Sequence, residues 1–260
     1  MKTLISGFFL CISLSVLGQQ DTVFNQVNAK GQKVGWWKKA YDDGMIQYIA
    51  NFVDGKPVGE VKRYARSGKL SSVLTYTSGN KEVLAKLYDK DGLLLAAGSY
   101  IDTKKNGLWN TYRPNGTLIY LENYRNGVKE GKAVGYYSNK QKMFEYTYAG
   151  GLKVGYAVQF YPNGSMMEEL VYANDGLPNG EYRAYYDNNS KRVIGKYVGG
   201  EKVDVWYTYN LDGSVNSEVL YKNGYPQVTE DMLQKETQMI NKFNQMKGKI
   251  EEPSESNINR

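Results

Sequence analysis

Three pairs of carboxylates, Asp42 with Asp43, Glu122 with Glu145 and Glu168 with Glu169, are the residues of this chain whose types could perform hydrolysis. Cleaving a glycosidic bond needs two carboxyl groups about 5 Å apart, or about 6.5–9.5 Å apart, across a sugar ring. An adjacent pair in a strand points to opposite faces of the sheet and misses that geometry. Asp42 and Asp43 precede a glycine in "DDG", where turn chemistry already explains acidic residues. The 260 residues hold no histidine and a single cysteine, Cys11. Cys11 lies in the N-terminal apolar run read below as a secretory signal, so after its removal a Ser-His-Asp triad, a thiol nucleophile and the usual zinc site are out of reach. No catalytic, cofactor-binding or metal-ligating residue is assigned, and the chain reads as a non-enzyme. "DKDG" at 89–92 starts like a calcium loop, but the third acidic position and the distal Glu are missing. "NGT" at Asn115, "NGS" at Asn163 and "NNS" at Asn188 match glycosylation acceptors, yet all three occupy turn positions.

Aromatic residues are the other chemical asset. The chain has 24 Tyr against 7 Phe, amphipathic rings suited to half-exposed surfaces. Regular tyrosines suit cross-strand pairing within a thin sheet. The four tryptophans, Trp36, Trp37, Trp109 and Trp206, are irregularly placed and are the candidate partner-binding residues. Trp36 and Trp37 face opposite sides of any strand that contains both.

The elements that position these side chains follow from a repeat. Glycines recur at Gly31, Gly55, Gly79, Gly127, Gly151, Gly176, Gly200 and Gly224, with Thr103 in the same register; the spacing is 24 residues, with a single 25 before Gly176. Four residues after each stand Gly35, Gly59, Val83, Gly107, Gly131, Gly155, Gly180 and Asp204. Nine further on stand Gly44, Gly68, Gly92, Gly116, Lys140, Gly164, Asn189 and Gly213. Below these are called the closing, entry and mid-repeat slots. Aromatics share the register, with Phe52, Tyr76, Tyr100, Tyr124, Tyr148, Tyr172, Tyr197 and Tyr221 near the end of each repeat. Triplets such as "PNG" and "LDG" put Gly where a hairpin needs positive φ. They separate segments of strand length rich in Tyr, Val, Leu and Trp. Within the repeats helix is a poor alternative, because glycine recurs every 4 to 11 residues and each interior glycine costs a helix about 1 kcal/mol against alanine.

The expected fold is all-β: an elongated antiparallel β-hairpin array of about eight 24-residue repeats, with a short C-terminal α-helix. Some sixteen strands at roughly 4.8 Å spacing predict a sheet on the order of 75 Å long. The closing slot and the four residues after it are expected to form the reverse turn into the next repeat.

Outside the repeats, residues 1–18 have Lys2, an apolar run from Leu4 to Leu17 and Gly18 before Gln19, the pattern of a secretory signal. Residues 19–31 read as a half-repeat cap, 32–224 as the repeat domain, 225–248 as a capping helix laid over the last edge strand and 249–260 as a disordered tail. In the helix, Thr229 is the N-cap, Met232, Met239, Ile240, Phe243 and Met246 form the apolar stripe, and Gly248 marks the stop. Removing Lys2 with the signal leaves 32 basic and 27 acidic residues, interspersed along the chain. Export and the lack of a basic stripe argue against nucleic acid as a partner. The expected location is the periplasm, cell envelope or exterior of a bacterium.

The repeat "NGLWNTYRPNGTLIYLENYRNGVKEG" resembles the MORN-repeat variant, with its G-x-W-x-x-Y-x-x-N-G core and closing Y-x-x-G. The array is similar to exported multi-repeat chains labelled YwqK-type antitoxins. The resemblance spans 31–224, departing at Val83, Thr103 and Lys140 and keeping the core tryptophan only at Trp37, Trp109 and Trp206. It implies a scaffold that contacts proteins and sometimes membrane lipid, without a catalytic residue to transfer. The function expected is an exported, non-enzymatic scaffold for a protein partner, antitoxin-like in neutralising it. The alternative is a carbohydrate- or lipid-contacting envelope module, motivated by the tyrosine columns and mild positive charge.

Overall fold

The structure is a computed structural model that describes residues 22–77, 79, 81–228 and 230–247. The expected signal at 1–18, the Thr229 cap, the Gly248 stop and the tail at 249–260 lie outside the described residues. The described residues form two compact units, one ending at Gly92 and one beginning at Leu93.

The first unit is an antiparallel meander of β1 (Gln26–Val27), β2 (Lys33–Ala40), β3 (Ile46–Val53), β4 (Lys56–Tyr64), β5 (Leu70–Tyr76) and β6 (Glu82–Tyr88), each paired with the next. The half-repeat expected at 19–31 supplies β1, which covers the outer edge of β2 through Gln26↔Val34 and Val27↔Lys33. The second unit continues as β7 (Leu94–Ile101), β8 (Lys104–Tyr112), β9 (Leu118–Arg125), β10 (Val128–Tyr136), β11 (Lys142–Ala149), β12 (Leu152–Phe160), β13 (Met166–Tyr172), β14 (Pro178–Tyr185), β15 (Lys191–Val198), β16 (Glu201–Tyr209), β17 (Val215–Lys222) and β18 (Tyr225–Pro226). These strands also pair consecutively and antiparallel. Pro226 removes a ladder donor from the terminal strand, a device that blunts an exposed sheet edge.

The turns refine the sequence expectation. At several closing slots the turn between repeats is a two-residue hairpin loop made of the closing slot and the residue before it, whereas the inserted residue makes the turn at Gly176 longer, with Ala173 N–H donating to Leu177 O. Asn126 and Gly127 have φ of 51° and 86°, Asp54 and Gly55 47° and 79°, and Gly199 and Gly200 56° and 85°. Positive φ at both centres gives a turn whose twist matches the strands it joins. The entry-slot glycine lies inside the following strand, where the register shifts and the chain bulges: Gly107 has φ 66°, between the pairs Ser99↔Asn106 and Ala97↔Asn110. Where Val83 replaces that glycine, β5 and β6 pair without any register shift.

The core is one row deep. The buried apolar residues are small, such as Ala50, Val61, Val73 and Ala85 in the first unit and Ala96, Ala133, Ala157 and Ala184 in the second, except for Trp109 and Trp206. Helix α1 (Glu230–Met246) forms as expected but does not cap the sheet: Leu233, Met239, Ile240 and Phe243 are each more than half exposed. The 17-residue helix is amphipathic, and β18 pairs with the last two residues of β17.

Candidate binding face

Strand alternation and the ladder registers sort the second unit's side chains onto two faces. The pairs Tyr100↔Lys105, Gly107↔Tyr124, Tyr124↔Lys129, Tyr148↔Lys153 and Tyr197↔Lys202 place a lysine two residues after most closing slots beside the tyrosine that ends a repeat. The ammonium of Lys105 lies 4.4 Å from the Trp109 ring centre and 4.9 Å from that of Tyr124. Lys129 is 5.2 Å from Tyr148, Lys153 is 3.7 Å from Tyr146, and Lys202 is 4.3 Å from Trp206 and 5.0 Å from Tyr221. The first unit repeats the motif once, with Lys33 at 4.5 Å from Trp37 and 5.0 Å from Phe52. Each contact contributes about 0.5–1 kcal/mol at an exposed site and holds a long side chain in one place. This lysine column keeps the 24-residue register and was legible in the sequence, yet it was overshadowed there by glycine and tyrosine.

Carboxylates modulate the column. Glu122, paired with Ala133 and Trp109 across the ladder, lies on the same face; its Oε1 is 2.6 Å from Lys129 Nζ and its Oε2 accepts the Tyr124 hydroxyl at 3.0 Å. Burial pulls the Lys129 ammonium down, but the Glu122 carboxylate outweighs it and leaves its pKa above the ordinary value. Burial, assisted by the charge of Glu168, pushes the Tyr146 phenol up to about 12. Burial lowers Lys153, with Glu168 opposing.

The tryptophans do not form one surface. Trp109 is 1% exposed and Trp206 5% exposed, each lying flat in the hollow left by a glycine on the preceding strand, Gly98 and Gly195. Trp37 is half-buried and donates its indole N–H to Gln26 O at 3.0 Å. Trp36 projects from the opposite face of β2 and is 44% exposed, so it alone presents a free ring.

The carboxylate pairs are also resolved. Glu122 and Glu145 fall on opposite faces, since Glu122 pairs with Ala133 and Glu145 with its neighbour Val134. Glu168 and Glu169 likewise diverge: Glu168 accepts Tyr182 Oη at 2.8 Å, while Glu169 receives Tyr156, Arg183 and Tyr185 on the other face. Glu122 and Glu168 do share a face but sit on β9 and β13, about 19 Å apart at the spacing of a sheet. Asp42 and Asp43 form ion pairs with Arg66 of the next turn, at 3.9 and 3.2 Å. At the acceptor-like triplets, Asn115, Asn163 and Asn188 each accept the amide two residues on, at 3.1, 2.9 and 2.9 Å, which is turn chemistry. In "DKDG" the Asp91 amide donates to Asp89 Oδ1 at 2.8 Å, closing the turn in the same manner.

Between β13 and β17 the lysine face opens into a groove of about 680 Å³, lined by Glu168, Tyr182, Arg192, Tyr197, Lys202 and Trp206 among others. It is the largest concavity described on this face, and sequence reasoning did not anticipate it.

The chain carries MORN-type repeats: the family described as the MORN repeat variant matches residues 105–126 and 153–174. No curated protein matches the chain. Among solved structures, a mutant of S. aureus TarM in complex with Fondaparinux, alpha-GlcNAc-glycerol and UDP aligns at 14% identity over 42% of this chain and 21% of its own, with a TM-score of 0.30. TcdB2-TccC3-TEV aligns at 14% identity over 70% of this chain and 12% of its own, with a TM-score of 0.22. A protein with unknown function from Bacteroides fragilis NCTC 9343 aligns at 10% identity over 71% of this chain and 92% of its own, with a TM-score of 0.11. The chain thus spans only a small part of the first two, and similarities this weak carry no argument about function.

Proposed function

We propose that this MORN-type repeat protein is an exported, non-enzymatic scaffold whose lysine-and-tyrosine face in the second unit receives a protein partner with an acidic surface. The observation that carries the reading is the column Lys105, Lys129, Lys153 and Lys202, each held over an aromatic ring in one register. Pre-positioned cations reduce the side-chain ordering cost of binding, and the rings beneath supply the desolvated contacts from which hot spots are built. Antitoxin-like neutralisation of a partner is the narrower form of this proposal. Cross-linked capture from native envelope extract tests it, comparing the wild type with a Lys105→Gln, Lys129→Gln, Lys153→Gln variant. A partner held by the wild type, released by salt and lost by the variant is the expected result; equal capture by both removes the face from the function.

A second reading, carbohydrate contact in the cell envelope, has its own observation: the groove beside Trp206 combines rings with polar donors. A glycan array blank at low salt would remove it.

A further inference from the structure

The second unit loses the register lysine at Pro178 and at Pro226, of which only Pro178 lies on a strand paired on both sides. The repeat that opens after Gly176 has Pro178 where its neighbours have Lys153 and Lys202, and Tyr182 where its neighbours have Ala157 and Trp206. Lys153 lies 5.7 Å from the Tyr172 ring, but with no lysine at 178 the ring of Tyr197 borders the open groove uncovered, and Tyr182 stacks at 5.5 Å on Trp206.

The polar groups of this groove are unbalanced. The Trp206 indole N–H and the Arg192 Nε are buried and have no hydrogen-bond partner. Trp109, in the same register position, donates to Ser99 O at 3.0 Å, so the position itself does not forbid pairing. Lys202 Nζ rests on two rings and has no carboxylate partner among the described residues. Glu168 is the one acid lining the groove, and its carboxylate is engaged by Tyr182 and Gln159. The site therefore presents positive charge from Lys202 and Arg192 beside aromatic walls. Its complement is a ligand with acceptors, negative charge and an apolar ring face.

Peptide fits poorly. The groove lies on the face of β13 to β17, whose backbones are paired on both sides, so a segment cannot join as an added strand. Its amides would lie unpaired against rings, which costs free energy. A saccharide lays its C–H face on the rings, turns hydroxyls to water and directs a carboxylate to Lys202 and Arg192. We infer that the groove beside Trp206 binds a carboxylated, uronate-type oligosaccharide. This inference rests on the carbohydrate reading and not on the protein-partner one.

The test is a calorimetric and tryptophan-fluorescence titration of the full chain with tetragalacturonate, its neutral methyl ester and hexaglutamate. Saturable uronate binding is expected, with the ester and the peptide each about tenfold weaker or more, since a charged hydrogen bond is lost or badly placed. Arg192→Gln and Lys202→Gln should each weaken the uronate about tenfold, whereas the distant Lys129→Gln should not. Far-UV dichroism of each variant confirms the fold. Equal binding of ester and uronate would overturn the acidic specificity while leaving carbohydrate contact standing. No binding of either would remove both. Tighter binding of hexaglutamate, or variants that bind as the wild type does, would overturn the site.

Discussion

Trp109 and Gly98 occupy one volume between them. A β-carbon added to Gly98 would meet Trp109 Cδ2, Cε2 and Cγ at 2.3, 2.4 and 2.6 Å, and the indole cannot retreat because its N–H is tied to Ser99 O. Gly98→Ala is therefore expected to destabilise the second unit by about 1–3 kcal/mol, as overpacking does, read from the urea midpoint. Gly116→Ala, whose β-carbon would meet nothing within 4 Å but whose φ is +79°, should cost less, about 1 kcal/mol. Charge at this scale is read through Glu169. Burial raises its pKa, but hydrogen bonds from Tyr156, Arg183 and Tyr185 outweigh burial and leave it lowered from 4.5. A depressed carboxylate contributes stability above its unfolded pKa and loses it as pH falls through the folded one. Below pH about 4.5 the wild type should thus lose stability more steeply than Glu169→Gln, by comparison of urea midpoints across pH.

Among the elements, successive hairpins are riveted by a tyrosine column that the sequence reading passed over. The hydroxyl of Tyr137 donates to Phe160 O at 2.8 Å, that of Tyr161 to Tyr185 O at 2.9 Å and that of Tyr186 to Tyr209 O at 2.8 Å, each 23 or 24 residues on. Arg113 does the same work with its guanidinium, donating to Tyr136 O at 2.9 Å. Each acceptor is the backbone carbonyl of the residue just before the matching position in the next repeat, so the side chain ties one hairpin to the following one. Tyr161→Phe removes one rivet and should cost about 0.5–1.5 kcal/mol without changing the strand signal in far-UV dichroism. The two-residue turn at Asp102 and Thr103 has φ of 48° and 65°. A β-branched residue in the left-handed region is strained, so Thr103→Gly should stabilise by about 1 kcal/mol in the same assay.

At the scale of the whole molecule, stability is expected to be local. Among the described residues each strand pairs with its chain neighbours, as in a one-dimensional array, and the α1 side chains Leu233, Met239, Ile240 and Phe243 are more than half exposed. Ending the chain after Val228 should leave the melting of the β-sheet within about 2 °C of the wild type, because surface that is not buried adds little on folding. A larger loss would mean that the exposed stripe of Met239, Ile240 and Phe243 is covered in solution. Hairpin number, register, strand length and the place of the inserted residue were all legible, because glycine, asparagine and aspartate report backbone sign directly. The capping role of α1 was not legible, because an apolar stripe states that a helix wants a partner without naming it.

The sequence by itself determined the all-β hairpin array and the mid-repeat turns, along with the opposite facing of Trp36 from Trp37 and of Glu168 from Glu169, since strand parity and positive φ are local properties of the chain. Cross-strand neighbours required the tertiary structure, because they depend on register shifts at the entry-slot bulges. Those shifts decided that Trp109 and Trp206 are buried over glycines instead of displayed. They also set Lys105, Lys129, Lys153 and Lys202 over rings. The same pairing across β13 to β17 gathered Arg192, Lys202 and Trp206, whose numbers alone give no hint of a common groove.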